Sequence, residues 1–126
     1  MKPVRLQYTY DLLNSYGIFE ESSVKLIGPR EAIYEELASI HSEEYISAVR
    51  SLSGGLKEYL PEKYGFSTSG DNPIFRDMYQ AAALSTGASL IGAELVNSGE
   101  SDVAFSISGG LHHADRNSAS GFCIFN

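Results

Sequence analysis

Two adjacent histidines, His112 and His113, are the residues of this chain best suited to chemistry. Imidazole is the side chain whose unperturbed pKa lies nearest neutrality, so it suits proton transfer. A pair in one loop can divide that work, one ring taking a proton while the other holds charge. The plainer alternative is a polar turn carrying two solvated rings, and spacing alone leaves both open. Just before the pair runs Val103-Ala104-Phe105-Ser106-Ile107, an apolar stretch that reads as a short buried strand. Gly109 and Gly110 then let the backbone turn sharply as it leaves. The pair would therefore sit where loops of α/β proteins commonly carry function. Downstream, Cys123 lies in a strand-like Phe-Cys-Ile-Phe setting that would raise its pKa, so it reads as a small buried residue and not a nucleophile.

The elements that must position this loop follow from periodicity. Residues 3–16 read as a helix: Pro3 suits its first turn, Leu6, Tyr10 and Leu13 form a stripe, and Gly17 stops it. Residues 22–27 alternate as a short strand that Gly28-Pro29 breaks. Residues 30–38 look helical, with Ala32, Ile33 and Leu37 inward and the glutamates on a solvated face near the helix start. Ser42 can cap the next helix, whose buried stripe is Tyr45, Ile46, Val49 and Leu52. His41, just before that cap, reads as a packing or hydrogen-bonding residue. Residues 54–70 form a long aromatic-bearing loop, often functional or ordered by a partner. Asp71 closes it and reads as a cap or turn residue. Residues 74–97 give the longest helix, with Phe75, Met78, Tyr79, Ala82, Leu90, Ala93 and Val96 near one face. Its middle is rich in Ala, Ser and Gly, which permits close backbone approach on several sides.

Composition narrows the function classes. The chain has 126 residues, enough for one domain at most. With 43% hydrophobic and 11% aromatic residues it falls in the globular range. A net charge of −7 argues against non-specific binding to nucleic acid or to an anionic membrane. No run approaches the roughly 18 apolar residues of a membrane span. A lone cysteine excludes an internal disulfide and a Cys-rich metal site, and fits a reducing, cytoplasmic setting. The Gly-Gly loop is followed by neither Lys-Ser/Thr nor G-x-G-x-x-G, which leaves little for an anion-binding reading.

Three blocks carry a resemblance. Gly109-Gly110-Leu111-His112-His113-Ala114 with Ala119-Ser120-Gly121-Phe122-Cys123 is similar to the active-site segment of the zinc-dependent histone deacetylases. The acetoin-utilisation-type deacetylases and acetylpolyamine amidohydrolases look alike there. Tyr64-Gly65-Phe66 with Gly70-Asp71-Asn72-Pro73-Ile74-Phe75, and Ile40-His41-Ser42-Glu43-Glu44-Tyr45-Ile46, occur in the family's order and span nearly the whole chain.

The resemblance implies an arginase/deacetylase fold. The expectation is a single incomplete deacetylase-like domain over 1–126: the α/β, Rossmann-like N-terminal segment, mostly helical, with about two short parallel strands. It implies catalytic roles for His112 and His113, the second as general base and the first electrostatic. It implies substrate contacts for Asp71 at the rim, Gly121 through its carbonyl and Phe122 as an apolar wall of the acyl channel. The reaction would be hydrolysis of acetyl-lysine or a small acetylated amine, in which zinc polarises the acetamide and activates water. The family's zinc-binding Asp and His residues come further along the fold than these blocks. His112 and His113, as neighbours, are poorly placed to share a metal, so no zinc site and negligible activity are expected of this chain alone. Two short strands would leave apolar surface uncovered, so the chain is expected to self-associate or to join a chain carrying the metal-binding half.

Overall fold

The computed structural model describes residues 3–126. Four α-helices carry the architecture: α1 (Val4–Ser15), α2 (Tyr34–Ala38), α3 (Glu43–Ser53) and α4 (Met78–Asn97). Short 3₁₀ turns cover Ile18–Glu20 and Pro61–Tyr64. The two expected strands are not found. Residues 24–33 and 103–105 run without helix or ladder, and the only β-pairing among the described residues is two isolated bridges, Asp115 with Ser118 and Ser120 with Cys123. A strand exists by pairing with a neighbour, and an apolar, alternating sequence supplies only the willingness to pair. The mostly helical part of the expectation holds, and its two short parallel strands are corrected, among the described residues, to two unpaired apolar segments.

The core is built around α3. Ser42 caps it as its sequence promises: its Oγ accepts from the Tyr45 N–H at 3.2 Å. Glu43 and Glu44 occupy its first turn and Arg50 its last, both favoured by the helix dipole. Tyr45, Ile46, Val49 and Leu52 are all buried. Against them pack Leu37, Tyr64, Phe66, Met78, Tyr79, Ala82, Ala83 and Phe125 in one cluster. The aromatics of the 54–70 loop are therefore core residues: Tyr64 and Phe66 are buried and Tyr59 packs against the cluster.

The other helices depart from their expected spans for identifiable reasons. The segment before α2 lies extended across α4 instead of coiling. The Ala32 N–H donates to the Ala83 carbonyl at 2.8 Å, and Gly87 has no Cβ to collide with the Arg30 carbonyl. Helix α2 so begins at Tyr34, and Ile33 ends exposed instead of inward. Glu36 ties this corner together: it accepts from the Ile33 N–H at 2.8 Å and pairs with both terminal nitrogens of Arg30 at 2.8 and 2.7 Å. That guanidinium and the Ile33 N–H hold the Glu36 carboxyl below its ordinary pKa. Helix α4 begins at Met78 because Asp77 takes φ 63°, which leaves Phe75 outside the helix and exposed. Gly17, at φ 70°, stops α1 as expected. The stripe of α1 finds no core, however: none of its residues is buried, and Tyr10 packs on Phe19 with ring centres 5.0 Å apart.

Tyr10 and Leu13 of α1, Ile18 and Phe19 after it, the C-terminal half of α4 and the two unpaired segments surround an open hollow of about 1320 Å³. Leu26, Val103 and Phe105 border it and are exposed, Val103 at 78% and Phe105 at 76%. Among the described residues no helix is long and apolar enough to cross a membrane.

Candidate active site

The two histidines stand on a loop held at both ends. Upstream, the Ser85 hydroxyl on α4 donates to the Ser108 carbonyl at 2.6 Å, and Gly109 approaches Ser89 closely. Gly110 takes φ 80°, which makes the turn into the pair. Downstream, the chain folds back on itself. Asp115 donates its N–H to the Ser118 carbonyl at 2.8 Å, and Ala119 donates to the Tyr64 carbonyl at 2.9 Å. The Ala119 carbonyl presses on Gly65, whose φ of 78° and missing side chain allow the contact.

Residues 120–123 close a two-residue hairpin. Ser120 and Cys123 exchange hydrogen bonds, N–H to carbonyl, at 3.1 and 2.8 Å. The two residues between them, Gly121 at φ 52° and Phe122 at φ 67°, are both left-handed, the signature of a type I′ turn. Glycine takes this conformation freely, but a phenylalanine is strained there, by about 1–2 kcal/mol. Strain of this kind gathers at functional sites and persists because surrounding contacts enforce it. Here Cys123 is buried at 2% exposure, and Ile124 and Phe125 are buried after it.

The turn and the histidines meet. A Cβ built on Gly121 would lie 2.9 Å from both Cβ and Cγ of His113, so only glycine lets that ring settle there. His112 and His113 have ring centres 4.4 Å apart, tilted by 35°. The Gly110 carbonyl lies 2.9 Å from His112 Nδ1 and can only accept. Nδ1 therefore carries the proton, and the Nε2 of neutral His112 is left as the acceptor. Both rings are exposed, as is Phe122 at 46%. The arrangement offers two accessible imidazoles, one of them against a turn whose other central residue is an exposed phenylalanine, and imidazoles so placed can move a proton.

Asp71 is not part of that contact set. It is exposed in the bend before Pro73, and since α4 starts at Met78 it caps no helix. Its neighbour Asn72 is buried, takes the Ser67 N–H at 3.1 Å through its carbonyl, and leaves its side-chain Oδ1 without a partner. Cys123 lies under the turn with its thiol toward the Gly121 carbonyl at 3.5 Å, a packing role as expected. Among the described residues no three His, Cys, Asp or Glu side chains converge as a metal ion would require, and this donor set does not fit a zinc centre.

His41 is buried at 1% exposure with both ring nitrogens engaged. Nδ1 faces the Asp115 carbonyl at 3.1 Å, and Nε2 accepts from the Asn126 N–H at 3.2 Å. The ring is thereby fixed as the neutral Nδ1–H form, and burial lowers its pKa below the ordinary histidine value. Sequence reasoning placed His41 correctly as a hydrogen-bonding residue but missed Asn126. The signal available was a polar residue directly after the apolar Phe-Cys-Ile-Phe run.

Comparison with known proteins identifies the family. The family model for the histone deacetylase domain matches residues 1–126. Type-1 histone deacetylase 1 of Dictyostelium discoideum is 39% identical over 127 aligned residues, covering 100% of this chain and 25% of its own length. Acetoin utilization protein AcuC of Bacillus subtilis is 42% identical over 123, covering 97% of this chain and 31% of its own length. The crystal structure of a histone deacetylase homologue from Aquifex aeolicus superposes with a TM-score of 0.76 at 31% identity, over 96% of this chain and 31% of that one. The chain thus spans about a quarter to a third of the length of these relatives. By the family model, by these relatives and by its fold, the chain belongs to the histone deacetylase domain family.

Proposed function

We propose that this chain supplies the proton-handling and acyl-lining part of a histone-deacetylase-like amidohydrolase. The substrate class is acetyl-lysine or a small acetylated amine. The observation that carries the reading is His113 resting on Gly121 beside the strained, exposed Phe122. In this reading His113 takes the proton of the attacking water, and His112 stabilises charge with Nδ1–H fixed by Gly110. The Gly121 carbonyl accepts from the substrate amide, Phe122 lines the acyl group, and Asp71 grips the substrate backbone at the rim. Hydrolysis breaks the amide C–N bond; the carbonyl carbon gains the water oxygen and the amine leaves with a proton. Zinc, held by the rest of such a domain, would polarise the carbonyl; the chain spans about a quarter to a third of its relatives' length, and alone it is read as one inactive segment of a domain.

The test is reconstitution. The chain is assayed on an acetyl-lysine peptide with zinc, alone and with a polypeptide holding the remaining length of a related deacetylase. Hydrolysis at background alone, appearing on mixing and abolished by His113→Ala, supports the reading. Activity of the chain alone that a chelator and His113→Ala both abolish overturns the inactive-segment part. Reconstituted activity indifferent to His113→Ala overturns the catalytic assignment.

A second reading has its own observation, the open apolar hollow beside α4. In it the chain is a non-enzymatic subunit, of cytoplasmic location, that acts through assembly with copies of itself or with a chain carrying the metal-binding half. Light scattering on the purified chain tests it; a monomer at micromolar concentration counts against self-assembly.

A further inference from the structure

We propose that Asn126, seated by His41, is the positioning residue of the imidazole pair. This rests on the catalytic reading of His112 and His113 given above. The two rings are exposed, so their orientation depends on the main chain that carries them. That main chain enters the folded body at Ala114, the residue directly after His113, which is buried.

Both main-chain groups of Ala114 bind one side chain. Its N–H donates to Asn126 Oδ1 at 3.1 Å, and its carbonyl accepts from Asn126 Nδ2 at 2.7 Å. A carboxamide here does what a neighbouring strand would do, offering one donor and one acceptor to a single residue. Asn126 is itself held. Its N–H donates to His41 Nε2, and its carbonyl accepts from the Thr86 hydroxyl at 3.3 Å. Phe125 before it is fully buried, with ring centres 5.3 Å from His41, 6.0 Å from Tyr45 and 5.6 Å from Tyr79.

His41 closes the circuit. Its Nδ1–H reaches the Asp115 carbonyl, one residue beyond Ala114, while its Nε2 holds Asn126. One buried ring so spans both sides of the loop, and the path His41–Asp115–Ala114–Asn126–His41 is joined by hydrogen bonds and one peptide link. Loosening Asn126 frees Ala114, and with it the backbone that keeps His113 against Gly121.

Nuclear magnetic resonance on the whole 126-residue chain tests this without needing turnover. The readouts are nuclear Overhauser contacts between the His113 ring and the Gly121 α-protons, and exchange of the Ala114 amide. Asn126→Ala is expected to erase those contacts and speed Ala114 exchange by about tenfold, while the Tyr45–Phe66 contact and the helical circular dichroism persist. Asn126→Asp keeps the acceptor and drops the donor, and is expected to weaken the contacts partly. His41→Gln places an oxygen near Nε2 and is expected to rescue what His41→Leu loses. Unchanged His113–Gly121 contacts in folded Asn126→Ala or Asn126→Asp overturn the proposal, as does equal damage from Gln and Leu at 41. Failure of the catalytic reading would show instead as reconstituted activity indifferent to His113→Ala, with these contacts intact.

Discussion

Removing one oxygen from Tyr45 measures how firmly the core holds the segment that carries the site. Tyr45 is fully buried, and its hydroxyl donates to the Ile124 carbonyl at 2.8 Å. Tyr45→Phe leaves the ring in place, so its contacts with Phe66 and Phe125 survive and no large cavity opens. The net value of the lost bond is about 1 kcal/mol, and a carbonyl left buried without a partner costs about 1–3 kcal/mol. Ile124 is only 9% exposed, so water reaches its carbonyl poorly and about 2 kcal/mol is the expected loss. With a urea slope of about 2 kcal/mol per molar, the midpoint falls by about 1 M. Urea unfolding followed by circular dichroism reads this directly. Tyr8→Phe, on the exposed face of α1, serves as the control and should not shift. A Tyr45→Phe shift below about 0.5 kcal/mol at unchanged slope would refute the reasoning, because the orphaned carbonyl would then have found another partner.

Three further outcomes are expected. Phe122→Gly removes a left-handed phenylalanine whose ring is half exposed, so thermal stability should rise by about 1 kcal/mol; a fall in calorimetry would mean that ring packing outweighs the strain. Gly65→Ala forces a side chain into φ 78° and against the Ala119 carbonyl, and should cost more than about 1 kcal/mol in chemical denaturation; an unchanged midpoint would contradict the close approach. His41 is held neutral by burial, with the Arg116 charge acting in the same direction and the main-chain bonds to Asp115 and Arg116 opposing. Its folded pKa lies below the unfolded value of about 6.5, so the unfolded chain takes up its proton first as pH falls. The stability from a neutral His41 is therefore full above about 6.5 and is lost as pH drops through the folded value. Melting temperatures between about pH 7.5 and 5 should show this slope, and His41→Gln should flatten it.

Where local chemistry decides, the sequence was readable. Ser42 announces the start of α3, and the 3.6-residue spacing of Tyr45, Ile46, Val49 and Leu52 gives its buried face. Gly17 and the glycines around the histidines mark turns that exist, and His113 rests against Gly121. What failed depended on partners distant in the chain. Val103–Ile107 has the composition of a strand, but no described segment pairs with it. Arg30 to Ile33 has helical periodicity, yet the Ala83 carbonyl takes the Ala32 N–H and holds the segment straight. Asp77 breaks α4 by a left-handed turn that an aspartate permits but does not advertise. The bond between His41 and Asn126 joins residues 85 apart in sequence, and no local pattern encodes it.

The uneven burial of this molecule has a kinetic side. Its buried cluster joins α3, Tyr64, Phe66, the first turns of α4 and the final apolar run, whereas α1 contributes nothing to it. Amide exchange should therefore separate into a fast tier at the amino end and a slow tier around α3. The histidine loop hangs from the slow tier through Ala114 and Asn126. The amino-terminal helix can fray and re-form many times while the two imidazoles keep their places.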